Sequence, residues 1–276
     1  MLPFLGAGVS VMSIGIRALQ RHEANAIAPL LAGLLFTAFS VGFFAIVFVA
    51  IRRAARTASL QAKAPDQPWL WRPEWTARRI PDSRGNAAWL LWIFAIFWNA
   101  VTIPATFLIL REWSRQQNHL LLLALIFPAV GVVLIIAAIY TAMRRLKFGA
   151  SICTIDTVPI NPGRSFHGEI EMRSDAVPEG GYLLRLVCVH RVVTGSGKSQ
   201  TTRETPLWQQ ESRVTSATAM RLSTGGVRVP FSMTIPHDVR SSDIRNSRDQ
   251  ILWRLEVSAE MPGVDYDASF DLPVFG

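Results

Sequence analysis

The sequence predicts two dissimilar halves, a membrane domain of three to four transmembrane helices followed by an all-β sandwich. Three observations carry this. Stretches free of Asp, Glu, Lys and Arg recur at membrane-spanning length before residue 147. Basic residues crowd the segments between those stretches. After Lys147, long apolar runs give way to short segments in which apolar and polar residues alternate. The 276-residue chain is 50% hydrophobic and 17% charged, against about 25% charged in a typical soluble domain. Such a composition excludes a disordered chain, which needs low hydrophobicity, and argues against a wholly soluble one.

The net charge of +8 invites a nucleic-acid reading until the charges are located. The connector 52–87 holds eight basic and three acidic residues, and Arg144, Arg145 and Lys147 add three more positive charges. From Phe148 onward there are 13 basic and 15 acidic residues. The basicity belongs to membrane-flanking segments, so nucleic acid is not an expected partner.

Taken in order, Met1–Ile16 is apolar but reaches only about 24 Å as a helix. No basic residue precedes it and no A-x-A-like site follows, so it does not read as a secretory signal. A short span over about residues 3–20, with Arg17 snorkelling, is the favoured reading, and an interfacial helix is the alternative. Ala24–Ile51, Gly85–Leu110 and Gln116–Met143 are each long enough to cross a hydrocarbon core of about 30 Å. They give spans at 26–51, 88–110 and 118–143. Pro104 and Pro128 fall inside two of them and are tolerable as kinks. Lys and Arg counts orient the chain: Arg52 and Arg53 at one junction, and Arg144, Arg145 and Lys147 at another, mark the cytoplasmic side. The membrane domain is thus 1–147, with a cytoplasmic connector at 52–87 and a cytoplasmic C-terminal domain at 148–276. The expected location is a bacterial inner membrane.

The connector is the least ordinary stretch. Trp69, Trp71 and Trp75 lie within seven residues, among Pro65, Pro68, Pro73 and Pro81, with Arg72, Arg78 and Arg79 close by. These six Trp and Arg residues suit the lipid headgroup layer, where each basic residue near an anionic leaflet contributes about 1 kcal/mol. A docking surface on the soluble domain is the other use. The expected partners are therefore anionic headgroups of the bilayer and a protein not identified by the sequence.

Candidate strands follow at 150–157, 165–173, 182–193, 207–214, 227–235, 252–259 and 266–274, separated by Gly, Pro and Ser turns. In the last, Tyr266, Ala268, Phe270 and Leu272 point one way and Asp265, Asp267, Ser269 and Asp271 the other. Asn161-Pro-Gly163 with Gly168-Glu-Ile170 resembles the opening of an arrestin-like or immunoglobulin-like sandwich. Val187-Cys-Val-His190, Val229–Pro236, and Leu252–Val257 leading into Tyr266–Phe275 resemble its later strands. The whole chain also resembles uncharacterised multi-pass bacterial membrane proteins in which a Pro-Trp-Leu-Trp-Arg-Pro loop precedes a membrane hairpin and such a sandwich. The resemblance implies a fold that binds partners and performs no catalysis. Arrestins carry two sandwiches and this chain has one, so their mechanism does not transfer.

Several motifs mislead. Gly195-Ser-Gly-Lys-Ser199 resembles the end of a P-loop, but position 192 is Val and no helix pattern follows, so a hairpin tip is expected. Asp265, Asp267 and Asp271 have the spacing of a solvated strand face. His167, His190 and His237 lack ligand spacing, and no G-x-S-x-G elbow is present. Cys153 and Cys188 form no C-x-x-C pair and read as small buried hydrophobes. No cofactor is expected. Within the spans Asn99, Thr102, Asn118 and His119 are the main polar groups, too few ionisable residues for a proton or ion path to lead. The expected function is a non-enzymatic membrane protein whose sandwich is an interaction or scaffold module. A small transporter or channel subunit with a regulatory sandwich is the alternative.

Overall fold

The computed structural model describes residues 2–22, 27–85, 88–116, 125–174, 177–223 and 225–276. In chain order the elements are α1 (Leu2–Gln20), α2 (Ile27–Lys63), α3 (Pro73–Thr76), β1 (Arg79–Pro81), α4 (Ala88–Gln116) and α5 (Ile126–Phe148). The strands that follow are β2 (Ile152–Ile155), β3 (Ser165–Met172), β4 (Tyr182–Thr194), β5 (Thr201–Val214), β6 (Met220–Arg221), β7 (Val227–Thr234), β8 (Asp243–Asn246), β9 (Asp249–Ala259) and β10 (Tyr266–Leu272). The chain divides into two compact units, Met1–Arg56 with Ala88–Ile139, and Thr57–Ala87 with Tyr140–Gly276. The sequence reading puts the connector with the helices. In the structure, 57–87 groups with the sheets instead.

In the helical unit, α2, α4 and α5 supply three helices long and apolar enough to cross a membrane, whereas the apolar part of α1, Leu5–Gln20, is shorter. Their large apolar side chains face outward as well as inward, as at Phe48, Phe107 and Val133, the pattern of a helix whose surroundings are themselves apolar. Polar groups within the helices find partners close at hand. The Asn99 amide donates to the carbonyls of Ala95 on its own helix (2.8 Å) and of Gly131 on α5 (3.1 Å). Thr102 Oγ1 donates to Trp98 O at 2.9 Å. Phe97 of α4 stacks on Phe39 of α2 with ring centroids 3.9 Å apart. Asn118 and His119 lie outside the described residues.

The second unit is a sandwich of two antiparallel sheets around one core. One sheet runs β1-β2-β3-β7-β6; the other runs β10-β9-β4-β5, with β8 also paired to β9. Period-2 alternation builds the core from both sides: Phe166, Ile170, Val229, Phe231 and Met233 from one sheet, and Leu184, Leu186, Trp253, Leu255, Val257 and Phe270 from the other. Gly168 lies opposite Phe231 in the β3–β7 ladder, and a Cβ there would sit 2.6 Å from the Phe231 ring and 2.7 Å from Thr154 O. Glycine is the residue that lets that ring lie across the strand.

Two expectations need correcting. The strand expected at 207–214 begins six residues earlier, at Thr201, because the β4–β5 ladder continues past a bulge between Cys188 and Val189. And β1, β6 and β8 are absent from the strands expected from alternation. They are two to four residues long, too short to display a period.

Candidate functional site

The connector's residues lie in the sandwich. Trp71 and Trp75 are 4% and 1% exposed and belong to its core, as does Ile80, while Trp69 packs against that core. The Trp75 ring meets Phe275 edge-on, with centroids 5.8 Å apart. β1 adds to the first sheet by pairing Arg79–Pro81 with Ile152–Thr154. The assignment of Trp71 and Trp75 to a lipid headgroup layer is therefore corrected: their rings are spent inside the protein. Arg72 stacks over the Trp75 ring (4.6 Å) and pairs with Asp271 at 3.0 Å. Arg78 donates to Asp156 O at 2.8 Å, and Arg79 occupies an exposed position of β1.

This arrangement closes one edge of the sandwich. An edge strand leaves the backbone groups of alternate residues without a ladder partner. On β10 those residues are Asp267, Ser269 and Asp271, and each is met. Arg144 donates to Asp267 O. Ser83 N donates to Ser269 O (2.9 Å), and Ser269 N donates to Asp82 Oδ1 (3.0 Å). Trp75 Nε1 donates to Asp271 O (2.8 Å). The covering also explains why Ser269, on the outward face of its strand, is 3% exposed. Lys147 is likewise bonded into this unit, donating to Pro262 O and Val264 O at 2.7 and 2.9 Å. Arg145 lies 3.5 Å from Gly85 O. Of the orientation-setting residues, Arg52 lies over the Phe48 ring (4.5 Å) and Arg53 follows it on α2.

Charges cross the outer face of the second sheet in two rows of alternating sign. One runs Arg72–Asp271–Arg254–Glu204, with Arg254 gripping both Glu204 oxygens at 2.7 and 2.9 Å. The other runs from Arg84, which pairs with Asp267 and Glu256, through Arg185 to Glu211 at 2.9 Å. Each row begins on a connector arginine and ends on a β5 carboxylate. Hydrogen bonds from Arg254 hold the Glu204 carboxyl below its ordinary range, against partial burial. A depressed carboxylate stabilises the fold above its unfolded value and stops doing so as pH falls through its folded value. Acidification from about pH 7 to about pH 3 is thus expected to lower the melting temperature of the native chain more than that of Glu204→Gln, which has no such proton to take up.

The opposite edge is open. β5 ends its sheet, and eleven of its fourteen residues are exposed, with Trp208, Ser212 and Val214 half-buried. Leu207 (44% exposed) on β5 and Met220 (60%) on β6 are the exposed large apolar side chains of the described sandwich strands. Pro206 and the adjoining bulge interrupt β5, two devices by which natural edges resist indiscriminate pairing. Gly195–Ser199 forms the turn between β4 and β5.

The other chemistry-bearing residues are dispersed. A shallow depression of about 510 Å³ on the first sheet is lined by Asp156, His167, Glu169 and Ser232, but Asp156 Oδ1 is taken by His167 N and Thr157 Oγ1, and Glu169 by Arg228. His190 pairs with Asp249 at 2.6 Å, and Asp265 accepts from Met261 N. Among the described residues no group of three or more His, Cys, Asp or Glu side chains is placed to hold a metal ion. Cys153 and Cys188 are both buried. Burial raises both thiols, Cys188 to about 11 with Arg240 opposing, which keeps them protonated and unreactive.

No protein-family model matches the chain, and no curated protein matches it. Solved structures share part of it. The sporulation control protein Spo0M from Bacillus subtilis is 12% identical over 46% of this chain and 49% of that one, with a TM-score of 0.30. MtrC from Shewanella baltica OS185 is 14% identical over 44% and 21%, at 0.25. A β-glucosidase from Listeria innocua in complex with isofagomine is 13% identical over 46% and 16%, at 0.19. The chain spans about half the length of Spo0M and about a fifth or less of the other two.

Proposed function

We propose that the chain is a non-enzymatic integral membrane protein whose arrestin-like sandwich serves as a protein-interaction or scaffold module on the cytoplasmic side of a bacterial inner membrane. One observation carries the reading: the two edges of the second sheet are treated differently. The β10 edge is covered by the chain's own connector, while the β5 edge keeps a long exposed strand whose other side pairs with no strand among the described residues. An exposed strand edge supports recognition by strand addition, in which main-chain hydrogen bonds give affinity and alternate side chains give specificity. Arg52 and Arg53, at the end of the apolar run of α2, support the cytoplasmic orientation and attraction to anionic headgroups.

A photo-crosslinking side chain at Gln209, on exposed β5, tests this in the native membrane. The expected result is a protein adduct from Gln209 and none from the same probe at His167 on the other sheet. Lipid adducts alone, or no adduct, would overturn the reading.

A further inference from the structure

We infer that the strand that adds to β5 is β5 of a second copy of this chain, in an antiparallel pair with its two-fold axis at Ser212. This rests on the reading of β5 as the recognition edge and names the occupant. It follows from the charges that β5 carries and from the few registers open to it.

Glu211 and Arg213 stand on the same outer face of β5, opposite Arg185 and Leu183 of β4. Arg185 Nε engages one Glu211 oxygen at 2.9 Å, and the Glu211 side chain remains 48% exposed. Arg213 is exposed and donates from Nη1 to Gly180 O at 3.2 Å, which leaves its other guanidinium donors for a further acceptor. The two residues bracket Ser212, so the edge carries a carboxylate and a guanidinium side by side.

In a two-fold antiparallel pair each residue lies opposite one at a fixed sum of positions, and contacts are reciprocal. Two sheets continue as one only if outer-face residues lie opposite outer-face residues, so the axis falls on a residue. With the axis at Ser212, Glu211 of each copy lies opposite Arg213 of the other, and Gln210 lies opposite Val214. Moving the axis to Glu211 sets carboxylate against carboxylate. Moving it to Arg213 sets guanidinium against guanidinium. An axis at Gln210 leaves Glu211 opposite Gln209 and Arg213 opposite Leu207. Farther toward the N-terminus, Pro206 has no N–H and the bulge breaks the ladder. One register satisfies both charges, and it satisfies them twice. The row that begins on Arg84 and passes through Glu256 and Arg185 to Glu211 then continues into the second copy, where its sign alternation is preserved.

Ser212→Cys in the full-length chain, kept in its native membrane, tests this by oxidation. Opposite residues of an antiparallel pair are within disulfide reach, so the thiol introduced by Ser212→Cys is expected to crosslink to its own copy across the axis. Gln209→Cys, whose two copies would lie about 20 Å apart along the strands, is expected to stay monomeric. Both native cysteines are 0% exposed and do not compete. In the Ser212→Cys background, Glu211→Arg and Arg213→Glu should each cut the crosslinking rate tenfold or more, and the two together should restore it. Absence of the Ser212→Cys crosslink, or a rate indifferent to the charge swaps, would overturn the inference. A Gln209 photo-adduct with a different protein, and none with a second copy, would overturn it while leaving the recognition edge in place. No adduct of either kind would remove both.

Discussion

Residues 148–276 expressed alone are expected not to fold, and to fold when residues 64–85 are supplied by fusion or as a separate peptide. The fragment contains nine of the ten described strands yet lacks the three apolar side chains that the connector contributes to its core, Trp71, Trp75 and Ile80. It also lacks the caps on β10, namely Trp75 Nε1 on Asp271 O, Ser83 N on Ser269 O and the Asp82 carboxylate on Ser269 N. Removing one buried tryptophan side chain costs about 3–5 kcal/mol, and a domain of this size has about 5–15 kcal/mol in total. Two tryptophans alone account for about 6–10 kcal/mol of it, and the edge strand is lost as well. In the full chain, Trp75→Ala is expected to destabilise the sandwich by about 3–5 kcal/mol, with its indole partner Asp271 O uncovered as well. Arg72→Ala should cost at most about 1 kcal/mol, because its pair with Asp271 is part-exposed. Denaturant titration of the Trp75→Ala and Arg72→Ala chains and of the fragment, with limited proteolysis, reads these outcomes. A fragment that unfolds cooperatively at the midpoint of the intact chain would mean the connector only decorates a complete fold.

Much of this architecture is legible in the chain because the relevant signals are periodic. Tyr266, Ala268, Phe270 and Leu272 alternate with Asp and Ser, and β10 buries that set. The charge-free runs give α2 as far as Ile51 and α4 as far as Leu110, and the charged ends of both helices lie beyond them. The connector is harder to place because its information is not periodic. In Arg79-Ile-Pro81 a single inward residue makes a strand, and a Trp-rich, Arg-rich loop has the same composition whether it meets lipid or protein. One available signal is the complementarity of charge: a connector with a large positive excess and a sandwich with more acidic than basic residues. Arg72 and Arg84 meet Asp271, Asp267 and Glu256, so part of what reads as an orientation signal is also the seal on a strand edge. The open edge at β5 is legible only in outline, since its register and its bulge depend on pairing with β4.

The helical unit carries a second pattern that apolarity alone conceals. Gly33→Val is expected to drive α1 off α2. A Cβ at Gly33 would lie 2.3 Å from the backbone nitrogen of Met12, one at Gly15 would lie 2.5 Å from that of Leu30, and one at Gly8 would lie 2.7 and 2.8 Å from Thr37 Oγ1 and N. Gly8, Met12 and Gly15 fall on one face of α1, spaced by four and three residues; Leu30, Gly33 and Thr37 do the same on α2. The contacts pair 8 with 37, 12 with 33 and 15 with 30, which makes the two helices antiparallel neighbours at backbone distance. Where the surroundings are apolar there is no hydrophobic gain in bringing helices together, so close approach through small residues supplies the attraction. The obstacle to a side chain at Gly33 is a main chain, which cannot rotate aside, so the helices must separate. Overpacking of this kind costs about 1–3 kcal/mol, which raises local opening by about fivefold to a hundredfold. Ala18 on α1 is 8% exposed, so a thiol placed there reports the opening. Ala18→Cys should react slowly with maleimide in the native background and at least about fivefold faster when Gly33→Val is added. Gly42→Val, at a glycine where a Cβ meets nothing within 4 Å, should leave the rate unchanged. Equal rates for all three would show that the close approach of α1 and α2 does not hold the helices together, and α1 would then have to be retained by its own apolar surface.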